Sequence, residues 1–306
     1  VIDIGSNDAT SLKAYTGKHR KVGIDPTGKK FKEYYTDDID LIPDFFSADA
    51  FRELFPNEKA KIITSISMFY DLPSPTDFVR DIEQCLDNEG VWHFEQSYMP
   101  SMLRTNSYDT ICHEHLEFYS LKVVNDLLNK CGLRIIDVQM NDINGGSFAI
   151  TACKNGASYQ SNTAVINWLL KQEENLGLNT AKPYLDFQER TIKHRENLLE
   201  LLEALVADGK KIIGYGASTK GNVLLQYCGI TSRLIPYIAE VNEDKFGSFT
   251  PGTLIPIISE KEAKAMNPDY FFVLPWHFKN NILEREKDYI AQGGKFIFPL
   301  PIIEII

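Results

Sequence analysis

The sequence is poor in cysteine, in long hydrophobic runs and in excess positive charge, and each shortage excludes a class of protein. Five cysteines are scattered over 306 residues and never form a CxxC pair. Such cysteines are typical of a reduced cytoplasmic protein, and not of a disulfide framework or a zinc site. No apolar run approaches the roughly 18 residues that span a bilayer, and no signal-peptide pattern is present. We therefore expect a cytoplasmic protein with no membrane partner.

The charge and the length narrow the class further. A net charge of −10 argues against nucleic-acid partners, because non-specific binding to phosphates needs a basic surface. A hydrophobic content of 43% and a charged content of 24% are typical of a globular protein, and the length favours two domains. The first residue is Val1 and already belongs to an apolar run, so we expect the sequence to start partway through a longer protein.

The N-terminal turn lacks the glycines of a dinucleotide site. The apolar run Val1–Ile4 leads into Gly5, Ser6, Asn7 and Asp8, and a buried strand followed by a glycine turn and a helix start opens a doubly wound sheet. A pyrophosphate needs GxGxxG for close backbone approach, and only one glycine is present. S-adenosylmethionine (SAM) has no pyrophosphate, and Asp3 can offer a carboxylate to its cationic amino-acid end.

Further acids follow at predicted strand and loop ends. Lys21–Ile24 is a predicted strand that ends on Asp25, 20 residues after Gly5, where a ribose-binding carboxylate is expected. Asp49 lies in a predicted third loop, where it can reach an adenine, and Ser65 lies in another predicted strand. The candidate cofactor-binding residues are Asp3, Gly5, Ser6, Asn7, Asp25, Asp49 and Ser65.

The predicted fold is α/β with two sheets. Residues 1–158 are predicted to form a class I SAM-methyltransferase (Rossmann-like) domain of about seven strands, parallel first and ending in an antiparallel pair joined around Asn144. A turn is predicted over residues 87–90, and a helical connector over residues 159–208. Residues 209–306 are predicted to form a smaller open α/β domain, in which residues 282–291 are one helix.

The C-terminal domain opens with a second glycine turn. A predicted strand, Lys211–Gly214, leads into a helix that begins near Lys220. Backbone amides at such a helix start attract phosphate, and Lys220 adds a positive charge. The Walker order GxxxxGK[ST] is absent. Glu240, 26 residues after Gly214, ends another predicted strand, so this turn is also compatible with a dinucleotide.

Between the two glycine turns lies a segment rich in titratable side chains. Tyr108–His115 contains two histidines and a carboxylate within three residues, which suggests a group-transfer enzyme with two nucleotide-bearing ligands. Imidazole has a pKa suited to proton transfer near neutral pH, and a protonated side chain or Tyr108 could donate to a developing oxyanion. No third ligand follows His113 and His115 at a useful spacing, so no metal is predicted.

The chain resembles the SAM-dependent C-methyltransferases that act on nucleotide-linked keto-deoxysugars. The resemblance covers all 306 residues. The motifs that carry it are Asp3–Asp8, Tyr108–His115 with Leu116–Ser120, Gly145–Ser147, Gly214–Asn222, Lys245–Gly247, Pro251–Thr253 and Pro256–Ile257. The resemblance implies a SAM domain and a C-terminal domain that holds the nucleotide sugar. It also implies a cysteine-ligated zinc module before Val1, with zinc as a cofactor only there.

The resemblance assigns roles to the catalytic segment. His115 is implied to be the general base that forms an enolate, and Glu114 its partner or a clamp on a sugar hydroxyl. Four positions depart from the family pattern: Cys112 (often Tyr), His113 (often Asp), Asn144 (commonly His) and His277 (expected Asn). The candidate substrate-binding residues are Tyr70, Asn144, Gly216, Ser218, Thr219, Lys220, Asn222, Glu240, Trp276 and His277.

The departures keep other functions open. An O- or N-methyltransferase on a related sugar would keep both sites and change only the accepting atom. The C-terminal turn could instead bind NAD in an oxidoreductase, or the chain could be a non-catalytic nucleotide-binding protein.

Overall fold

A computed structural model describes all 306 residues, and the chain divides into two compact units. The first unit comprises Val1–Pro100 and Leu116–Asn179, and the second comprises Ser101–His115 and Thr180–Ile306. The segment with His115 thus groups with the C-terminal residues. The side chain of Arg190 donates to the carbonyl of Leu103 at 2.6 Å, which ties this segment to a helix of its own unit. The domain boundaries at 158 and 208 stay a prediction.

The first unit is built on a seven-stranded sheet with the order β3-β2-β1-β4-β5-β7-β6. β7 runs antiparallel to both of its neighbours, β5 and β6, and the other neighbouring pairs are parallel. This order, with a hairpin at one edge, is the predicted class I methyltransferase arrangement. The strands are β1 (Ile2–Ile4), β2 (Lys21–Ile24), β3 (Ile39–Ile42), β4 (Ala60–Ile66), β5 (Leu86–Ser97), β6 (Leu133–Asn141) and β7 (Ser147–Lys154).

The second unit is built on a separate six-stranded sheet with the order β10-β9-β8-β11-β12-β13. Its first five strands are parallel, and β13 is antiparallel to β12. The strands are β8 (Ile212–Tyr215), β9 (Ile238–Glu240), β10 (Ile257–Ser259), β11 (Tyr270–Val273), β12 (Lys295–Phe298) and β13 (Glu304–Ile305). The chain therefore contains two open α/β sheets, as predicted.

The helices connect the strands, and several begin at a recognisable cap. Ser47, Ser120 and Ser218 each accept a hydrogen bond from a backbone N–H of the helix that they precede, which satisfies one of its free donors. None of the helices is both long and apolar enough to cross a bilayer. They are α1 (Thr10–Ala14), α2 (Ala48–Leu54), α3 (Pro75–Cys85), α4 (Met99–Thr105), α5 (Leu121–Lys130), α6 (Thr163–Leu176), α7 (Lys182–Ala207), α8 (Thr219–Cys228), α9 (Glu260–Ala265), α10 (Lys279–Arg285) and α11 (Lys287–Ala291).

Two local predictions are wrong. Residues 87–90 are not a turn between two elements but a bulge inside β5, where Ala60 pairs with Leu86 and Ile62 already pairs with Val91. The single helix predicted over residues 282–291 is two helices that meet at Glu286. The side chain of Glu286 is buried and accepts hydrogen bonds from Tyr215 and Lys264, so the break turns an acid inward.

Candidate functional site

In the first unit, the predicted cofactor residues cluster at the carboxyl ends of β1 and β2. Gly5 has φ +74°, a left-handed conformation that suits glycine and turns the chain between β1 and α1. Asp25, at the end of β2, accepts hydrogen bonds from the Asn7 N–H at 2.9 Å and from the N–H and hydroxyl of Thr27 at 2.7 Å. The carboxylate thus holds the glycine turn in place.

Asp3 is the second carboxylate of this group. It is buried on β1 and accepts a hydrogen bond from the Thr64 hydroxyl on β4 at 2.5 Å. Burial raises the pKa of Asp3 from 3.8, so a nearby cation would stabilise the charged form. Two carboxylates flanking a glycine turn fit the cationic amino-acid end and the ribose diol of SAM, so the donor set is chemically suited to this cofactor.

Two other predicted cofactor residues have protein partners. Ser65 is fully buried, and its hydroxyl oxygen accepts a hydrogen bond from the Trp92 indole N–H at 3.0 Å. Asp49 lies in the first turn of α2, where its exposed side chain pairs with Arg52 at 2.9 Å. Both side chains therefore have a structural explanation, and their roles in cofactor binding stay predictions.

Two predicted substrate residues also lie in the first unit. Tyr70 is buried in a 3-10 turn, Phe69–Asp71, and its carbonyl accepts the N–H groups of Leu116 and Glu117. Asn144 has φ +57° in the connection between β6 and β7, a left-handed conformation that asparagine tolerates better than most residues.

In the second unit, Glu240 is a carboxylate at the end of a strand that accepts backbone N–H groups of a neighbouring loop, as Asp25 does in the first unit. It is buried at the end of β9 and accepts backbone N–H groups from Ala217, Val241 and Asn242 at 2.7–3.1 Å. Burial acts to raise the pKa of Glu240, but these three donors and Lys245 outweigh it and the pKa is lowered. Glu240 is therefore an anchored carboxylate that fixes the loop before α8.

A cavity of about 340 Å³ lies beside this loop, in the size range of small-molecule sites. Its lining includes Gly216 and Ser218, which were predicted from the sequence, and Lys245, Phe278 and Arg285, which were not named as site residues. Lys245 belongs to the motif Lys245–Gly247, which could have identified it as a site residue. No sequence signal marks Arg285. The cavity combines Lys245 and Arg285 with Glu240 and Glu260, with which they form ion pairs. It also borders the start of α8, where backbone N–H groups favour an anion.

The segment Tyr108–His115 is held by hydrogen bonds within the second unit. The His115 Nδ1 atom lies 2.8 Å from the Thr110 carbonyl oxygen. Because a carbonyl can only accept, Nδ1 carries the proton and Nε2 is the basic nitrogen. Burial lowers the pKa of His115, with Lys220 acting in the same direction and the Thr110 bond and Glu114 opposing it. His115 is thus a neutral, oriented imidazole at neutral pH, while the adjacent Glu114 is exposed.

Tyr108 has a structural partner in this unit. Its hydroxyl lies 2.9 Å from Nδ1 of His194, whose Nε2 lies 2.6 Å from the Pro299 carbonyl oxygen. His194 must donate to that carbonyl through Nε2, so Tyr108 donates to Nδ1. The pKa of Tyr108 is raised by burial. The structure therefore uses this hydroxyl to join three segments, and its catalytic role stays a prediction.

Asp109 is a buried acid that the sequence did not single out. Its Oδ2 atom accepts a hydrogen bond from the Trp276 indole N–H at 2.7 Å, which ties the catalytic segment to the end of β11. Burial raises its pKa to about 6, although Trp276 and Lys220 oppose the shift. The neighbouring His277 has a pKa lowered to about 4 by burial and by Lys220.

The remaining predicted substrate residues lie on the first turns of α8. Thr219 and Asn222 line a groove of about 490 Å³ together with Cys112 and His113. These are the two positions of the catalytic segment that depart from the family pattern. The His115 segment, α8 and the residues after β11 therefore form one polar region of the second unit.

Two protein families match successive parts of this chain. A family described as "Methyltransferase domain" matches residues 1–138, and a family described as "C-methyltransferase C-terminal domain" matches residues 142–301. The C-methyltransferase NovU of Streptomyces niveus is 32% identical over 98% of this chain and 72% of its own length. Similar solved structures include LepI in complex with SAM (15% identity, 50% of this chain and 42% of that chain, TM-score 0.41) and the plantazolicin methyltransferase BpumL (12%, 50% and 76%, TM-score 0.39).

The fold and the family matches define the class as a SAM-dependent methyltransferase. The chain belongs to the C-methyltransferase family that includes NovU. Its cofactor is SAM, and the atom that accepts the methyl group is carbon. This membership does not support the alternatives of methyl transfer to oxygen or nitrogen, of an NAD-dependent oxidoreductase, or of a non-catalytic binding protein.

Proposed function

We propose that this enzyme methylates the carbon next to the ketone of a nucleotide-linked deoxysugar, with His115 as the general base. The observation that carries the proposal is the bond from His115 Nδ1 to the Thr110 carbonyl. It fixes one tautomer, and burial favours its neutral form. A neutral imidazole with a defined basic nitrogen is what proton removal from carbon requires.

The second unit has the features of a nucleotide site. The cavity beside α8 is lined by Lys245 and Arg285, each paired with a glutamate, and the N–H groups at the start of α8 favour a diphosphate. Glu240 holds the loop that shapes this cavity. The sugar is proposed to extend toward the groove that Cys112, Thr219 and Asn222 line, with Glu114 available for a sugar hydroxyl.

In the first unit, Asp3, Gly5 and Asp25 are proposed to hold SAM. Asp3 would neutralise the amino-acid end, and Asp25 would accept the ribose hydroxyls while it keeps the Gly5 turn closed. When bound, SAM supplies an electrophilic methyl group on a sulfonium. The protein supplies the base: Nε2 of His115 takes the proton, and the electron pair of that C–H bond becomes available on the acceptor carbon.

The proposal is tested with SAM labelled with ¹³C at the methyl group and a 4-keto-6-deoxy nucleotide sugar. The expected product carries a ¹³C methyl group attached to carbon. His115→Gln should lower turnover by at least about 100-fold, because a general base contributes that much or more. SAM should bind the variant unchanged, since His115 lies outside the proposed cofactor residues.

His19→Gln is the matched control, because His19 is an exposed histidine of the first unit and should leave turnover unchanged. Full turnover by His115→Gln would contradict the role of His115. A labelled methyl group on oxygen or nitrogen would contradict the proposed chemistry.

A further inference from the structure

Two buried polar atoms in the second unit have no hydrogen-bond partner. One is Oδ1 of Asp109, a residue with no exposed surface, and the other is Nδ1 of His277. A buried polar group without a partner costs about 1–3 kcal/mol, so its retention calls for an explanation. Both atoms are close enough to Lys220 for its charge to lower the pKa of their groups.

Lys220 is the cation of this cluster. It is the second residue of α8, and its side chain is partly buried. No carboxylate lies within 4.0 Å of its ammonium group, and it does not line the cavity beside β8 and β9. Burial lowers the pKa of Lys220, and the negative charge of Asp109 opposes this shift. The charge of Lys220 thus acts on the segment that contains Asp109 and Cys112.

The base and the cation are held by the same packed turn. The 3-10 turn Tyr108–Thr110 packs against α8, and the Thr110 carbonyl of this turn orients His115. Cys112, Thr219 and Asn222 line the adjacent groove, and Thr219 directly precedes Lys220 in the sequence. The groove is thus bordered by residues next to the base and next to the cation.

We propose that Lys220 is a catalytic residue whose ammonium group donates a hydrogen bond to the enolate oxygen, and that Asp109 is a positioning residue that keeps Lys220 protonated. The inference rests on the proposed function. In that reaction, Nε2 of His115 takes the proton from carbon. The C–H electron pair forms the carbon–carbon double bond, and the carbonyl π pair moves onto oxygen, where Lys220 stabilises the charge.

In the second step, the carbon–carbon π pair of the enolate forms the new bond to the methyl group, and the oxygen pair re-forms the carbonyl. SAM would supply that methyl group when bound, and the electron pair of the broken S–CH3 bond would stay on sulfur. Lys220 keeps its proton throughout, and His115 releases its proton to water. The charge of Lys220 also helps to keep His115 and His277 neutral, so one cation assists both the base and the enolate.

The test is deuterium exchange at the carbon next to the ketone, measured by proton NMR in deuterium oxide without SAM. The probe is a 4-keto-6-deoxy nucleotide sugar. Lys220→Met should lower the exchange rate at saturating probe by about 100-fold, with little change in KM. Lys220→Arg keeps the charge and should stay within about 10-fold of the wild type. Lys261→Met is the matched control, because Lys261 is the second residue of α9 and is exposed.

Asp109→Asn tests whether Asp109 keeps Lys220 protonated or has a purely structural role. The charged or titratable neighbours of Lys220 are Asp109, Cys112, His115 and His277. Removing the charge of Asp109 should lower the pKa of Lys220. As the pH rises, Lys220 of the variant should therefore lose its proton earlier, and the exchange rate should decline at a lower pH than in the wild type. A merely structural role of Asp109 would lower the exchange rate without changing the pH at which the rate declines on the alkaline side (the alkaline limb of the profile).

The outcomes are distinguishable. In one outcome, the wild type exchanges the proton, and Lys220→Met and Lys220→Arg both exchange it at the wild-type rate. That result overturns the inference about Lys220 and does not contradict the proposed function. The inference is also overturned if Asp109→Asn leaves the alkaline limb in place. No exchange by the wild type contradicts the proposed enolate and removes the basis of the inference. If Lys220→Met unfolds, the Asp109→Asn pH profile decides between the two outcomes.

Discussion

A single buried acid gives the second unit a characteristic dependence of stability on pH. Burial raises the pKa of Asp109 from 3.8 to about 6, so the folded state binds a proton that the unfolded state has already released. The stabilisation is present below about pH 4 and is lost as the pH rises through about 6. We expect the unfolding free energy to fall by roughly 2–3 kcal/mol across that range from this group alone.

Asp109→Asn is the variant that checks this expectation. The amide oxygen can still accept from Trp276, but the side chain no longer titrates. Urea unfolding at several pH values from 4 to 7 should show that the stability of the variant relative to the wild type increases with pH. Parallel profiles for the two proteins would contradict a raised pKa of Asp109.

At the residue scale, the sequence singled out the segment Tyr108–His115 but did not predict the contacts of its members. The density of histidine and carboxylate drew attention to Tyr108–His115, and the structure holds His115 with a defined tautomer. The partner of Tyr108 is 86 residues away, and that of Asp109 is 167 residues away. Pairings at such separations depend on the fold of the whole unit, so local residue patterns could not predict them.

At the scale of elements, the turn between β8 and α8 depends on Gly216. This residue has φ +83°, and a Cβ atom there would lie 2.8 Å from two ring carbons of Pro275. Gly216→Ala therefore combines backbone strain with a clash, and we expect it to lower the unfolding free energy by about 2–4 kcal/mol. Gly209→Ala is the matched control, because Gly209 has φ +74° and no atom within 4 Å of its Cβ position.

The control should cost only about 1 kcal/mol from backbone strain. Urea unfolding at constant pH measures both variants. Equal losses would show that contact with Pro275 is unimportant. If the nucleotide sits beside this turn, Gly216→Ala should also weaken binding of a nucleoside diphosphate, while Gly209→Ala should not.

The sequence predicted buried strands well and short or half-exposed elements poorly. β2 agrees with the predicted strand Lys21–Ile24, because all four residues are buried and its apolar content is evident. β3 is buried only at its two ends, Ile39 and Ile42, and β10 has only three residues, so neither gave a periodic signal. The break between α10 and α11 depends on the burial of Glu286, which charge alone would place on the surface.

At the scale of the whole molecule, two ligands should stabilise the protein independently. Each unit has its own sheet and its own proposed ligand. S-adenosylhomocysteine and a nucleoside diphosphate, each at about 100 times its Kd, should each contribute about 2.7 kcal/mol. Because the proposed residues belong to different units, their effects should add. Thermal unfolding with each ligand, with both and with NAD measures this.

NAD serves as the negative control in that experiment. We expect no stabilisation by NAD, because the family membership assigns SAM as the cofactor. Stabilisation by NAD, or competition between S-adenosylhomocysteine and the nucleoside diphosphate, would contradict the assignment of one ligand to each unit.

The central claim is that the enzyme activates carbon by removing a proton before the methyl group is transferred. The most direct measurement is exchange of the proton next to the ketone of a 4-keto-6-deoxy nucleotide sugar, in deuterium oxide without SAM. The account predicts exchange by the wild type and by His19→Gln, with at least about 100-fold slower exchange by His115→Gln. Exchange by His115→Gln at the wild-type rate, or no exchange by a wild type that methylates the same sugar, would contradict it.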